Sequence, residues 1–164
     1  MLRALRERLP REDFLYFGDT ARVPYGGKPL PLVRRFAWEI AGFLLREGVK
    51  AIVVACNTAS SAALPDLAED LSVPVFGVLE PAAEEARAHA KVGLIGTQAT
   101  VGSGAYERHL DIAWKKACPL FVPLVEEGLW EDPVALLVAR HYLEEAPKDL
   151  EALILGCTHY PFLK

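Results

Sequence analysis

No apolar run in the chain approaches the roughly 20 residues that a membrane-spanning helix requires; the longest, Ala51 to Cys56 and Leu153 to Cys157, are far shorter. Cysteine is scarce and odd in number, with three in 164 residues, which argues against a disulfide framework and for thiols that are buried, catalytic or metal-binding. Neither a C-x-x-C pair nor two histidines at structural-site spacing occur, so zinc is a poor explanation for them. The phosphate-cradling G-x-x-x-x-G-K-[ST] and the dinucleotide G-x-G-x-x-G are also missing; Gly102-Ser-Gly104 alone reads as a turn. With a net charge of −4 and both signs interspersed, there is no basic stripe for phosphate contacts, and nucleic acid is not the expected partner. The N-terminal Met1-Leu-Arg-Ala-Leu-Arg-Glu-Arg lacks the apolar stretch and small-residue cleavage site of a signal peptide, which leads us to expect a cytoplasmic protein with free thiols.

What is present is the composition of a globular protein: 52% hydrophobic and 24% charged residues without a low-complexity tract. Short β-rich runs at Phe14 to Phe17, Ala51 to Ala55, Val75 to Val78, Val92 to Ile95, Leu120 to Leu124 and Ala152 to Leu155 read as buried strands. Between most of them lie helical stretches, Leu32 to Glu47, Ala62 to Leu71, Pro81 to Ala90 and Asp132 to Glu145, the last opening on a cap residue followed by proline. Apolar strands without polar alternation, separated by helices, predict parallel sheets covered on both faces. The fold class is therefore α/β.

An internal repeat refines this. Ala51-Ile-Val-Val-Ala-Cys56-Asn57-Thr58 superposes on Ala152-Leu-Ile-Leu-Gly-Cys157-Thr158-His159 at an offset of 101 residues, each cysteine ending an apolar strand. Phe14 to Asp19 then corresponds to Leu120 to Glu126, and the helix after Pro31 to the helix after Asp132. Two similar lobes follow, 1–90 and 91–164, with the active site expected in the cleft between them. The segment Lys91 to Thr100 has no counterpart ahead of Met1, and no helix follows the last strand before Lys164. The first lobe is thus expected to lack its opening strand and the second its C-terminal part.

In parallel α/β sheets, ligands bind beyond the carboxyl ends of strands, where the following helices aim their N–H groups. Cys56 and Cys157 both fall there, and such a thiol can have a lowered pKa that makes its thiolate available as a base. Two thiols in facing lobes suit racemisation, which takes a proton from one face of a carbon and delivers another to the opposite face. Free cysteine is also commonly a small buried hydrophobe, but matched positions in two repeated lobes, each followed by small polar residues, shift the balance toward function. Cys118, before Pro119 at a strand entry, matches neither segment and reads as structural. Asp19 reads as a turn or capping group, and His89, His109 and His141 as surface residues. Thr97 and Thr100 stand equally well as carboxylate ligands or as a helix cap. Neither Lys50 nor Lys91 ends a strand, so no Schiff-base lysine is indicated.

Val54-Ala-Cys56-Asn57-Thr58-Ala59-Ser60 and Leu155-Gly-Cys157-Thr158-His159-Tyr160-Pro161 resemble the two catalytic segments of the glutamate racemases. Tyr16-Phe-Gly-Asp19-Thr20 with Val23-Pro24-Tyr25-Gly26, Gly96-Thr97-Gln-Ala-Thr100-Val, and Phe121-Val-Pro-Leu-Val-Glu126-Glu127-Gly128 extend the resemblance across essentially the whole chain. It implies that Cys56 serves as acid/base on one face of glutamate and Cys157 on the other, with His159 assisting Cys157 and Glu126 a supporting carboxylate. Tyr25, Gly26, Asn57, Thr58 and Thr158 would hold the substrate, with Thr97 and Thr100 as further candidates. No metal and no cofactor are implied; a homodimer and a product destined for peptidoglycan and cell shape are. His159 separates the chain from related aspartate racemases, which typically carry an acidic residue there. Family members also open on a strand leading to Asp-Ser-Gly, whose Asp assists the first cysteine; this chain has no such segment. A catalytically impaired binding module of the same fold is therefore the competing expectation.

Overall fold

The structure, a computed structural model, describes residues 1–163. Two parallel sheets organise it. In the first, β1 (Ile52–Val53) pairs with β2 (Val75–Phe76), Ile52 opposite Val75. In the second, β3 (Val92–Gly96) lies between β4 (Trp114–Ala117) and β5 (Ala152–Gly156), with Gly96 opposite both Ala117 and Gly156. Every residue of β3 is buried, as its uninterrupted apolar sequence requires for a central strand covered on both faces.

Helices cover these sheets because their apolar residues recur at helical spacing. In α2 (Leu30–Arg46), Val33, Phe36, Ala37 and Ala41 form one buried stripe. It packs on α3 (Asn57–Asp70), and Ala37, Ala41, Ile52, Ala63 and Leu67 make the first core. The short α1 (Leu2–Arg8) buries no residue, in keeping with its charged sequence. Helix α4 (Leu79–Ala86) precedes β3 yet places Leu79, Ala83 and Ala86 in the second sheet's core with Val92, Leu94 and Ile154. Helices α5 (Gln98–Gly102), α6 (Phe121–Glu126) and α7 (Pro133–Leu143) complete that half, and Asp132 caps α7 by accepting from the Val134 N–H at 2.9 Å.

Two expected strands are not strands. Phe14 to Phe17 has no ladder partner and leaves Tyr16 72% exposed; β-rich side chains form a strand only where a neighbour satisfies the backbone N–H and C=O groups. Leu120 to Leu124 belongs instead to α6, because Phe121, Leu124 and Val125 fall at the i, i+3, i+4 spacing that one helix face buries. The strand that fills the place beside β3 is Trp114–Ala117, whose two lysines mask it in a hydropathy reading but suit an edge strand. Among the described residues no helix is long and apolar enough to cross a membrane.

Candidate functional site

The chain leaves β3 toward β4 on one side and reaches β5 on the other, so the carboxyl ends of β3 and β5 flank a topological switch point, where α/β sheets form their crevices. Thr97 follows β3 and Cys157 follows β5. Cys56 follows β1 and is the N-cap of α3, with extended backbone dihedrals (φ −98°, ψ 127°). Its sulfur makes no capping hydrogen bond to that first helical turn, although the nearby N–H groups of Thr58 and Ala59 and the Thr58 hydroxyl favour its thiolate.

Around Cys157 the nearby backbone N–H groups of His159, Tyr160 and Thr158 favour its thiolate. His159 links it to Glu126: Nε2 lies 2.5 Å from Glu126 Oε1, and Nδ1 lies 3.7 Å from Cys157 Sγ and 3.4 Å from Thr158 Oγ1. With Nε2–H donating to the carboxylate, Nδ1 keeps its lone pair and can accept the thiol proton. The result is a carboxylate–imidazole–thiol chain assembled from α6 and the turn after β5.

Both thiols are pushed up from the ordinary value of 9.0, against the sequence expectation of lowered values. For Cys56 burial outweighs the helix-turn N–H groups. Burial foremost, with a charge on Cys56 adding to it, raises Cys157 to about 11. Cys157 therefore rests as a thiol at neutral pH, and its thiolate fraction grows as pH rises toward that value. Iodoacetamide alkylation of Cys157, followed by peptide mass mapping, should accelerate about tenfold per pH unit between about pH 8 and about pH 10. A rate already flat below about pH 8 would contradict the burial-dominated assignment.

Three hydroxyls meet between the sheets: Thr58 Oγ1 is 2.9 Å from Thr97 Oγ1 and 3.1 Å from Thr100 Oγ1, and Thr97 donates to Thr100 at 3.0 Å. Thr97 also caps α5 by accepting the Thr100 N–H at 3.2 Å, and Thr100 is 0% exposed. Gly26 packs directly on this cluster; a Cβ there would lie 2.6 Å from Thr97 Cβ and Cγ2, while its carbonyl accepts the Ala99 N–H at 3.0 Å. Gly26→Ala should cost about 1–3 kcal/mol by overpacking, read as a lower Tm in thermal unfolding. An unchanged Tm would mean that the 25–27 loop moves freely from α5.

Tyr25, half-buried, donates its hydroxyl to Asp19, which is also paired with Arg22; Arg22 in turn pairs with Glu39 and lies 4.3 Å over the Phe36 ring. Burial first, and then the Asp19 carboxylate, hold the Tyr25 hydroxyl well above its ordinary range, and a charged Cys56 adds to this. Asp19, read from the sequence as a turn group, thus anchors Tyr25 beside the first thiol. The adjacent motif residues gave the only sequence signal for this; Arg22 and Glu39 gave none.

The predicted residues fall into two groups: Cys157, Thr158, His159 and Glu126 on the second sheet's side, and Tyr25, Gly26, Cys56, Asn57 and Thr58 on the first, with Thr97 and Thr100 between. Cys118 is fully buried among Phe121, Tyr142 and Tyr160, as a structural cysteine would be. Among the described residues no three His, Cys, Asp or Glu side chains converge as a metal site. Shallow concavities against Leu136 and Arg140 of α7 and against Gly26 to Leu30 are lined by neither Cys56 nor Cys157.

The sequence model of the Asp/Glu/hydantoin racemase family matches residues 1–164. A glutamate racemase of Thermus thermophilus is 87% identical over all 164 residues, and the chain spans 64% of that relative's length. The crystal structure of glutamate racemase from Thermus thermophilus in complex with β-chloro-D-alanine superposes with a TM-score of 0.96 at 87% identity, over 99% of this chain and 64% of that one. Glutamate racemase from Francisella tularensis in complex with D-glutamate gives a TM-score of 0.92 at 38% identity, over 99% of this chain and 65% of that one.

Proposed function

The chain belongs to the Asp/Glu/hydantoin racemase family, and from that premise we propose that it carries the proton-transfer machinery of a cofactor-independent glutamate racemase. The observation that supports this most directly is the placement of two thiols beyond parallel strands, Cys56 at the N-cap of α3 after β1 and Cys157 directly after β5. The lobes 1–90 and 91–164 would form the two walls of the substrate cleft.

The α-proton of an amino acid is weakly acidic, so a thiolate removes it only where preorganised donors stabilise the developing carbanion. The N–H groups of Thr58 and Ala59 on one side and of Thr158, His159 and Tyr160 on the other are such donors. In one direction the Cys56 thiolate takes the proton and becomes a thiol, while the Cys157 thiol gives its proton to the opposite face and becomes a thiolate. The reverse direction exchanges these roles. His159 accepts the Cys157 proton at Nδ1 when that thiol must ionise, and Glu126 stabilises the imidazolium through Nε2. Tyr25, Gly26, Asn57, Thr58 and Thr158 bind the substrate's carboxylates and ammonium. Thr97 and Thr100 belong to the same hydroxyl cluster, holding Thr58 from behind. The reaction supplies D-glutamate for peptidoglycan in the cytoplasm, and a homodimer is the expected assembly.

Loss of ellipticity from either pure glutamate enantiomer on incubation with the purified chain tests this reading, and convergence on zero from both sides is expected. Two alternatives are separable in the same assay. A catalytically impaired binding module would bind glutamate without any change in ellipticity. Preferential turnover of aspartate in competition would assign an aspartate racemase, against which His159 stands.

A further inference from the structure

Asn57 follows the first thiol and is 7% exposed. Its Oδ1 accepts a 2.7 Å hydrogen bond from the hydroxyl of Tyr106, which belongs to none of the motif segments. Tyr106 is 1% exposed, with its ring in the second sheet's core beside Leu79, Ala83, Leu94 and Ile154. Its mount is fixed: Gly104 turns the chain at φ +64°, Ser103 Oγ donates to the Thr100 carbonyl at 2.7 Å, and the same oxygen accepts the Ala105 N–H at 3.1 Å. Among the described residues Asn57 Nδ2 donates to no protein atom. Unlike Trp38 Nε1 and Ser61 Oγ, it is not sealed away from solvent without a partner.

We propose that Tyr106 is a positioning residue: by donating to Oδ1 from across the lobe boundary, it fixes the Asn57 amide with Nδ2 as the end free to meet a substrate carboxylate beside Cys56. This rests on the racemase reading and deepens it. An asparagine amide is nearly symmetric in shape but opposite in chemistry at its two ends, and only the nitrogen end attracts a carboxylate. A rotated amide would present a carbonyl to the anion. With the amide rotated, Nδ2 could donate to the phenol oxygen, but the buried Tyr106 hydroxyl would lose its only acceptor among the described residues, and its ring in the core keeps it from turning to another.

Tyr106→Phe deletes only the oxygen. It should raise KM and the calorimetric Kd for D-glutamate by about tenfold, the loss of one hydrogen bond to a charged group, while kcat changes by less than about twofold, as expected when uniform binding is removed. Asn57→Ala should produce a similar rise, and the double variant no more than the larger single effect, because both act through one contact. Ile154→Val, in the same core without touching Asn57, should lower Tm yet leave KM and Kd unmoved. A Tyr106→Phe protein that loses Tm but keeps KM and Kd, or single effects that add in the double variant, would overturn the inference. A wild-type chain that binds D-glutamate without turnover would instead sink the racemase reading and leave the Kd comparison intact; one that does neither overturns both.

Discussion

Cys157→Ser is expected to lower racemisation of either enantiomer by at least about 10³-fold, because a serine hydroxyl is far too weak an acid to supply or accept the second proton, and positioned general acid–base groups contribute about 10²- to 10⁴-fold. Cys56→Ser should do the same. The informative measurement is exchange of the α-proton with deuterium, since each variant keeps one thiol and thus one competent face. Cys157→Ser should retain exchange with the enantiomer whose α-proton faces Cys56 and lose it with the other, and Cys56→Ser should reverse that preference. Identical exchange losses for both enantiomers in both variants would rule out one thiol per face. His159→Asn is expected to resemble Cys157→Ser more closely than Cys56→Ser, because its Nδ1 reaches Cys157 at 3.7 Å.

The second large effect is on stability and passes into the site. Phe121 is 3% exposed and meets Tyr142 and Tyr160 edge-to-face at centroid distances of 5.3 and 5.1 Å. Phe121→Ala should cost about 3–5 kcal/mol, the usual range for emptying an aromatic core position, and lower Tm by roughly 10 °C for a chain of this length. The loss would not stay in the core. Phe121 opens the helix that ends at Glu126, and Tyr160 closes the turn that carries Cys157 and His159, its hydroxyl donating to the Cys118 carbonyl at 2.8 Å. Loosening that aromatic contact separates the Glu126 carboxylate from His159. The rate at temperatures below the new Tm should therefore fall along with stability, whereas Phe121→Leu, which refills most of the volume, should retain both. A penalty under about 1 kcal/mol would mean that the aromatic cluster can collapse and that the carboxylate is held by something else.

Much of this site is legible in the linear sequence. An apolar strand ending in cysteine and followed by small polar residues is a local pattern, and it occurs twice at an offset of 101 residues. Cys56 at the start of α3, Asp132 capping α7 and the apolar strand β3 all follow from propensity and periodicity that each segment carries by itself. The resemblance to the glutamate racemases also implies Glu126 and His159 as companions of Cys157, and the two side chains meet at 2.5 Å.

Where the reading failed, the deciding contact lay elsewhere in the chain. Phe14 to Phe17 has strand composition but no ladder, and Trp114–Ala117 has two lysines but a full parallel register with β3; pairing depends on the neighbour, which composition does not encode. Asp19 does open a turn, its carbonyl accepting the Arg22 N–H at 3.2 Å, but its side-chain partners Arg22 and Tyr25 are not revealed by the backbone pattern.

The sequence by itself determined the family, the α/β class and the place of Cys56 and Cys157 beyond strand ends, because strand ends, helix caps and motif spacing are properties of short contiguous stretches. Only the tertiary structure decided that burial lifts both thiols rather than lowering them, that Tyr106 reaches across to Asn57, and that Thr97 and Thr100 close a hydroxyl cluster with Thr58. Desolvation and hydrogen bonds between distant residues depend on what surrounds a group in three dimensions, and no window of sequence contains that surrounding.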